Sequence, residues 1–247
     1  MPAQDENTAR RQIAEVAREI YGRKLSGASD GNLSVRLTDG RIATTPTGVH
    51  KGRMRPEDVV IVDAAGKTVG PGKPSSELAL HLAAYQARPD VDAVIHAHPP
   101  MAIAYQLAGG LLSEVLVSEV VFACGLIATA PYSTPTTQQV PQVLAPFLRC
   151  YDVILMERHG SVTLGHDLDA ALVRLDALEH TALIYCTVKM MGGAQPIAPR
   201  EVDKLFAIAK PQVPLYRQPG AACPSPEPQV PVDERLVQAV LAALGRR

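Results

Sequence analysis

Residues 74–99, PSSELALHLAAYQARPDVDAVIHAHP, place a helix directly before a strand and decide the class of fold. Ser75–Ala87 is predicted to be helical, since its apolar residues recur at helical spacing and it ends before Pro89. Val91–His96 is an apolar run of strand length. Helices and strands that alternate in this way indicate an α/β layered fold.

Two histidines at the end of this strand form the sharpest functional signal. His96 and His98 are two residues apart, and side chains at that spacing point to the same face of a strand. His159 follows Asp152–Met156, a second apolar run predicted to be a strand. Three histidines can hold a metal and leave a position open for substrate, as catalytic metal sites do. Histidines on a solvated strand face are the alternative.

The start of the predicted helix, Pro74-Ser75-Ser76-Glu77, allows two interpretations. Proline, serines and an acid in the first turn are favoured at any helix N-terminus. The serine hydroxyls and free N–H groups also suit a phosphate, with Glu77 as an acid/base beside a metal. Both interpretations can hold together.

Two short loops carry glycine beside polar residues. They are Asp30-Gly31-Asn32 before one predicted strand and Thr45-Pro46-Thr47-Gly48 after another. Glycine lets a backbone approach an anion, and asparagine or threonine side chains can donate to it. Each loop alone is equally typical of a turn. The remaining histidines are predicted to be structural: His50, His81, His166 and His180.

The rest of the chain alternates helical and extended patterns. Residues 8–24 and Leu168–Met190 are predicted to be helices, and turns at Asp39-Gly40 and Ala65-Gly66 predict two hairpins. Hairpins favour a mainly antiparallel or mixed sheet. Shorter elements are predicted at Met101–Ala108, Leu126–Ala130 and Val202–Ala209.

Proline marks the predicted end of the core. Seven of the 21 prolines lie between Pro211 and Pro231, which excludes a helix or a central strand there. We therefore predict a core over residues 1–210 and an extended linker over 211–231, which could reach about 65 Å. Residues 232–247 are predicted to form an amphipathic helix, which needs a surface to cover its apolar stripe.

Composition excludes several classes of protein. The 247 residues include 24 basic and 25 acidic side chains, so a nucleic-acid-binding role is not expected. No apolar run approaches the roughly 20 residues of a membrane span, and the polar N-terminus predicts a cytoplasmic protein. The scattered cysteines predict free thiols rather than a disulfide scaffold: Cys124, Cys150, Cys186 and Cys223.

Together these residues resemble the class II aldolase/adducin family over roughly residues 9–209. The motifs that carry the resemblance are Gly31–Arg36, Thr45–Gly48, Pro74–Glu77, His81, Ala83–Gln86, Arg88–Asp90, His96–Pro99, Ala130–Tyr132 and His159–Gly160. The resemblance implies an α/β/α three-layer fold around a mixed, mainly antiparallel sheet. It also implies a ring-like homotetramer with active sites between subunits.

The resemblance further implies a site and a reaction. Zinc, or another divalent cation, would be held by His96, His98 and His159. Glu77 would be the catalytic acid/base and a metal ligand when substrate is absent. The expected reaction cleaves a ketose 1-phosphate into dihydroxyacetone phosphate and an aldehyde, and the same scaffold hosts decarboxylases, epimerases and a dehydratase. The implied phosphate site comprises Gly31, Asn32, Thr47, Gly48, Ser75 and Ser76.

Two features of the chain depart from or add to the family pattern. Residues 116–120 lack the tyrosine expected to act on the aldehyde side, which leaves Glu119, Tyr105 or Tyr132 as substitutes. A non-catalytic, adducin-like binding domain is disfavoured because the three histidines and the glutamate are all present. The tail, residues 232–247, resembles encapsulation peptides of bacterial microcompartment cargo, which bind shell proteins. Folding back onto the core or pairing between subunits are the alternatives.

Overall fold

The structure is a computed structural model that describes residues 4–209 and 222–227. The strands in these ranges are β1 (Asn32–Arg36), β2 (Ile42–Thr44), β3 (Val60–Val62), β4 (Ala93–Ala97), β5 (Ile127–Ala130), β6 (Val153–Met156) and β7 (Gly160–Gly165). The α-helices are α1 (Glu6–Gly22), α2 (Leu78–Ala87), α3 (Pro100–Leu107), α4 (Glu119–Cys124), α5 (Gln139–Leu148), α6 (Leu168–Met190) and α7 (Pro199–Ile208). Two 3₁₀ turns lie at Lys51–Arg53 and Pro56–Asp58.

The strands form one sheet in the order β3-β2-β1-β4-β7-β6-β5. Every neighbouring pair is antiparallel except β5 and β6, which are parallel. Successive side chains of a strand point to opposite faces of the sheet, so neighbouring residues of β4 pack in different hydrophobic cores. Ile95 packs in a core with α1 and α6, whereas Val94 packs in a core with α2 and α5. The predicted three-layer α/β/α fold around a mixed, mainly antiparallel sheet is confirmed.

Local signals located several elements well. The predicted hairpin at Asp39-Gly40 joins β1 to β2, and Gly40 takes the positive φ of 83° that such a turn favours. Helix α6 has the predicted bounds, and the Asp167 side chain caps it by accepting from Ala170 N at 2.8 Å. Helix α2 begins three residues later than predicted, because residues 75–77 form a turn that leads into it.

The sequence analysis did not predict three elements: β7, α4 and α5. Strand β7 lies in the middle of the sheet, yet its sequence carries Ser161 and Thr163 between glycines. Both hydroxyls are buried and donate to backbone carbonyl oxygens, of Ala97 at 3.3 Å and Ala171 at 2.9 Å. These hydrogen bonds offset the free-energy cost of burying the two hydroxyl groups. A buried strand can therefore carry polar residues, and its sequence does not show the apolar run that predicts a strand.

A C-terminal segment, residues 222–227, lies against the β5 edge of the sheet. Thr129 N donates to the Pro226 carbonyl at 2.9 Å, and the Tyr151 hydroxyl donates to the Pro224 carbonyl at 2.6 Å. Cys150 and Cys223 form a disulfide, so the prediction of free thiols is wrong for this pair. The two cysteines are 73 residues apart, and nothing local in the sequence predicts their contact.

The predicted tail helix, residues 232–247, lies outside the described residues, as do 211–221 and 228–231 of the predicted linker. The described helices include none that combines the length and the apolar character needed to cross a membrane.

Candidate active site

Three histidines meet at one end of the sheet. His96 lies in β4, His98 follows that strand, and His159 lies in the turn between β6 and β7. Because β4 pairs with β7, the ends of these strands are neighbours. The structure thus brings the three predicted ligands together, with one ring nitrogen from each within 4.8 Å of the others.

A glycine makes room for this cluster. A Cβ atom at Gly160 would lie 2.6 Å from His98 Cδ2, 2.6 Å from the Ala97 carbonyl oxygen and 3.1 Å from His96 Cε1. Real Cβ atoms essentially never make contacts below 3.0 Å, so any larger residue would push the rings apart. The glycine that follows His159 in the sequence is therefore part of the site.

The ring of His96 is held in a defined orientation by the backbone. It is 1% exposed, and its Nδ1 lies 2.9 Å from the Ser161 carbonyl oxygen. A carbonyl can only accept, so Nδ1 carries a proton, and Nε2 is the ring nitrogen that faces the rest of the cluster. That Nε2 lies 3.1 Å from Nε2 of His98. A ligand histidine oriented by a backbone carbonyl is the arrangement that metal sites use.

Glu77 completes the set of donors. It is the N-cap residue of α2, with Oε2 at 3.3 Å from His96 Nε2 and Oε1 at 3.4 Å from His159 Nε2. Oε1 is buried, and it has no hydrogen-bond partner among the described residues. Ligand atoms around a tetrahedral ion with bonds near 2.1 Å are about 3.4 Å apart. The residues present therefore fit a small divalent cation.

The protonation states suit the same role. Burial lowers the pKa of both His98 and His159 to about 4, so both rings are neutral near pH 7. Burial raises the pKa of Glu77, but hydrogen bonds from His96 and Asn32 and the nearby histidines outweigh it and hold that pKa at about 2. The site thus offers two neutral imidazoles, those of His98 and His159, and one ionised carboxylate.

Two of the segments predicted to bind phosphate, the loop of residues 45–48 and the helix start at residues 74–76, lie side by side. Pro46 pairs with Pro74 in an antiparallel bridge, and Ser75 N donates to the Thr45 carbonyl oxygen at 3.1 Å. In the same register Thr47 N donates to the Lys73 carbonyl oxygen at 3.1 Å, so residues 45–47 of one segment lie along residues 73–75 of the other.

The residues of these segments differ in solvent exposure and in the space around them. Ser75 is buried, and its hydroxyl accepts from Glu77 N at 3.2 Å, as a helix cap does. Ser76 is exposed. Gly48 has a positive φ of 72°, and a Cβ there would meet no atom of the described residues within 4 Å. Gly31 is tightly enclosed, since a Cβ there would lie 2.6 Å from the His96 carbonyl oxygen.

The side chain of Asn32 is already engaged within the protein. It is 3% exposed, its amide nitrogen donates to Glu77 Oε2 at 2.9 Å, and its amide oxygen bonds with Nε2 of His81. The sequence analysis assigned Asn32 to phosphate, whereas the structure shows its amide facing the carboxylate. His81 is fully buried, as the prediction of a structural histidine requires.

Sequence reasoning missed Lys51. This lysine is 2% exposed, and its Nζ lies 3.4 Å from the Ser29 carbonyl oxygen. Burial lowers its pKa, while the charges of Asp30 and Glu77 act in the opposite direction. In the sequence it follows Gly48 by three residues and looks like any surface lysine.

The three substitutes for the missing tyrosine occupy different environments. Tyr105 is buried, and its ring meets that of Tyr185 edge-on at 5.9 Å. Tyr132 is 53% exposed, and Glu119 is exposed at the start of α4. Tyr132 and Glu119 therefore remain accessible, whereas Tyr105 belongs to a core.

Comparison with known proteins identifies the class to which this fold and site belong. The model of the Class II Aldolase and Adducin N-terminal domain matches residues 11–186, and the chain belongs to this family. The resemblance noted from the sequence motifs is thereby confirmed.

Within the family the chain is similar to enzymes with different reactions. It is 36% identical over 183 residues to a methylthioribulose-1-phosphate dehydratase of Methylococcus capsulatus, covering 68% of this chain and 88% of that protein. It is 32% identical over 184 residues to a 3-oxo-tetronate 4-phosphate decarboxylase of Escherichia coli, covering 73% and 87%. A solved L-fuculose 1-phosphate aldolase superposes with a TM-score of 0.76 and 26% identity, covering 82% and 96%. These relatives are lyases, and the protein is an enzyme of that class.

Proposed function

We propose that this enzyme is a zinc-dependent lyase that cleaves a ketose 1-phosphate into dihydroxyacetone phosphate and an aldehyde. The observation that carries the proposal is an ionised Glu77 within 3.4 Å of two of three converging histidines. The chain's likeness to an L-fuculose 1-phosphate aldolase supports the same reaction.

The metal would be held by His96, His98 and His159, with Glu77 as a further ligand before substrate arrives. Neutral imidazole nitrogens favour zinc, although other divalent ions accept them. When bound, the cation withdraws electrons from the substrate's carbonyl group and stabilises negative charge that develops beside it.

Glu77 would carry the proton that moves at the carbon beside the carbonyl. Cleavage breaks the bond between C3 and C4: the C4 hydroxyl loses its proton and becomes the aldehyde, while C3 gains a proton. Ionised Glu77 accepts the proton that leaves the C4 hydroxyl, passes it to C3 and so returns to the carboxylate form, and in the reverse direction it removes the proton from C3. Its burial beside the histidines keeps the carboxylate close to the reacting carbon.

The phosphate of the substrate would bind at the adjoining loops. Backbone N–H groups and hydroxyls of Thr47, Gly48 and Ser76, together with Gly31 and Ser75, suit an anion. Asn32 is part of this group by sequence, and its amide nitrogen donates to Glu77 Oε2 at 2.9 Å. Lys51 adds a buried positive charge near the loops. Binding the phosphate would position the reacting carbon against Glu77.

Dehydration of a phosphorylated ketose is the second candidate. It is favoured by the 36% identity to methylthioribulose-1-phosphate dehydratase. That reaction also removes a proton beside a carbonyl, which an ionised Glu77 can accept. Decarboxylation, as in the relative that acts on 3-oxo-tetronate 4-phosphate, and epimerisation complete the alternatives.

One experiment separates these reactions. Zinc-loaded protein is incubated with L-fuculose 1-phosphate or with methylthioribulose 1-phosphate, each with and without a chelator. We expect chelator-sensitive release of dihydroxyacetone phosphate from the first substrate, restored by added zinc. No release from protein that retains stoichiometric zinc would reject the aldolase, and loss of water from the second substrate would establish the dehydratase.

The assembly and location of the enzyme are part of the same proposal. We propose a cytoplasmic homotetramer with active sites between subunits, and exposed apolar side chains such as Phe122 and Tyr132 supply surface for such contacts. Residues 232–247 would bind microcompartment shell proteins. Co-purification with shell proteins, with and without this tail, tests that role, and unchanged recruitment after truncation would reject it.

A further inference from the structure

A continuous line of hydrogen-bonded side chains leads from Glu77 into the interior. Helix α2 and its N-cap supply Glu77, His81 and Tyr85, which are four residues apart and share one face. Strand β1 supplies Asn32 and Ser34, which are two residues apart and also share one face. The two sets interleave between the helix and the sheet.

The contacts join all five residues in sequence. The Asn32 amide nitrogen lies 2.9 Å from Glu77 Oε2, and the Asn32 amide oxygen bonds with His81 Nε2. On its other side, His81 Nδ1 lies 2.7 Å from the Ser34 hydroxyl, which lies 2.7 Å from the Tyr85 hydroxyl. Asn32, Ser34, His81 and Tyr85 are all buried.

The direction of every bond follows from the carboxylate at one end. Ionised Glu77 only accepts, so Asn32 turns its NH₂ group toward Glu77 and its oxygen toward His81. That oxygen only accepts, so His81 Nε2 carries the proton. Nδ1 of the neutral ring then accepts from Ser34, which in turn accepts from Tyr85. Each donor in the line therefore points toward Glu77.

We propose that His81 is a positioning residue that fixes the Asn32 amide and, through it, the Glu77 carboxylate. If the amide of Asn32 rotated by half a turn, its oxygen would face the carboxylate and its NH₂ group would face the Nε2–H of His81. Both contacts would be repulsive. His81 thus holds the orientation of an amide that serves Glu77, and bonds aligned in one direction reinforce one another. The expected effect on kcat rests on the proposed function, whereas the tautomer of His81 and the orientation of the Asn32 amide do not.

The first test is independent of turnover. ¹⁵N NMR of histidine-labelled, zinc-loaded full-length protein reports which nitrogen of each ring carries a proton. We expect a resonance pair with a protonated Nε2 and a bare Nδ1, assigned to His81 by its absence from His81→Gln. A proton on Nδ1 of His81, or on both nitrogens near pH 7, would overturn the proposal even if the enzyme's substrate were still unknown.

The second test compares two replacements of His81. His81→Leu removes the donor to Asn32, whereas His81→Gln places an amide N–H where Nε2 lay. We expect kcat of His81→Leu to fall about 10- to 100-fold with little change in KM, because a small misplacement of an acid/base has effects of that size. His81→Gln should recover most of kcat.

The controls separate positioning from folding. Thermal unfolding and zinc content are measured for both variants, and His180→Leu, at an exposed position of α6, should behave as wild type. Equal losses of kcat in the leucine and glutamine variants, or wild-type kcat in His81→Leu, would contradict the proposal. If His81→Leu does not fold, Tyr85→Phe replaces it, because this change removes the donor at the far end of the line. The NMR result for His81 in the wild-type protein tests the proposal in either case.

Discussion

Gly160 and His98 approach each other so closely that a Cβ on Gly160 would lie 2.6 Å from the Cδ2 atom of His98. They lie where β4 and β7 run side by side, just as both strands reach the candidate active site. The geometry of the three histidines therefore depends on a residue that has no side chain.

Gly160→Ala is expected to weaken zinc binding by about 10- to 100-fold, the usual cost of disturbing the groups that orient metal ligands. The added methyl group must displace the ring of His98 or the Ala97 carbonyl group, the backbone that joins His98 to His96. Competition with a chromophoric chelator measures the affinity. Gly22→Ala is the matched control, because a Cβ at Gly22 would meet no atom of the described part of the chain within 4 Å. Equal zinc affinities for wild type and Gly160→Ala would contradict the expectation.

Glu77→Gln is expected to lower kcat by about 10²- to 10⁴-fold, the range for loss of a general acid/base. The amide keeps the shape of the carboxylate but cannot carry the proton. Zinc should stay bound, since three histidines remain. Steady-state kinetics on protein of measured zinc content gives both quantities. A variant that turns over as fast as wild type would remove Glu77 from the reaction.

Lys51→Met is expected to change phosphate binding and stability in opposite directions. Burying an ammonium group with one long hydrogen bond costs stability, which an apolar side chain of similar length would relieve. Loss of the positive charge should raise KM for the phosphorylated substrate and weaken inhibition by inorganic phosphate. Kinetics and urea unfolding measure the two effects. Lys67→Met, at a turn nearer the surface, is the control, and a phosphate affinity that matches wild type would exclude Lys51 from the anion site.

His81 should make the protein less stable in mild acid. Burial first, and the field of His96 second, lower the pKa of His81 from 6.5 to about 3. Between these values the unfolded state binds the proton and the folded state does not, so the free energy of unfolding falls as pH falls below 6.5. The His81 contribution lost by pH 5.5 is about 1.4 kcal/mol.

This pH effect is measured by urea unfolding of wild type and His81→Gln at pH 8 and pH 5.5. Taking the difference between the two proteins cancels the titration of His98, His159 and other shared groups. The wild type should lose more unfolding free energy than the variant over this interval. Parallel losses in the two proteins would show that His81 is not buried in its neutral form.

Reduction of the disulfide should lower the free energy of unfolding by about 2–4 kcal/mol, because the bond closes a loop between residues 73 apart. Cys223→Ser should match the reduced wild type and should not respond to reductant. Cys186→Ser, which removes a free thiol, should retain the full response. Thiol labelling of unfolded, unreduced protein should find two reactive cysteines. Four would show that the bond does not form.

Sequence reasoning succeeded where the signal lies within a few residues. The spacing of His96 and His98 indicates one strand face, and the cap residues of α6 locate that helix. It failed where the determinant lies elsewhere in the chain. The Asn32 amide turns to Glu77 because α2 packs on β1, and Lys51 is buried because the chain folds over it. Neither contact leaves a periodic pattern in the sequence.

Anchoring of residues 222–227 on the β5 edge also limits what the following residues can reach. If the chain were held only at the end of α7, the proline-rich stretch could extend over tens of ångströms before residue 232. Counted from Glu227, a stretch of five residues spans at most about 18 Å when fully extended. The last described contacts of the chain therefore lie at the β5 edge, the opposite edge of the sheet from β3. The disulfide and its neighbouring hydrogen bonds thus set the point on the fold from which the residues after Glu227 continue.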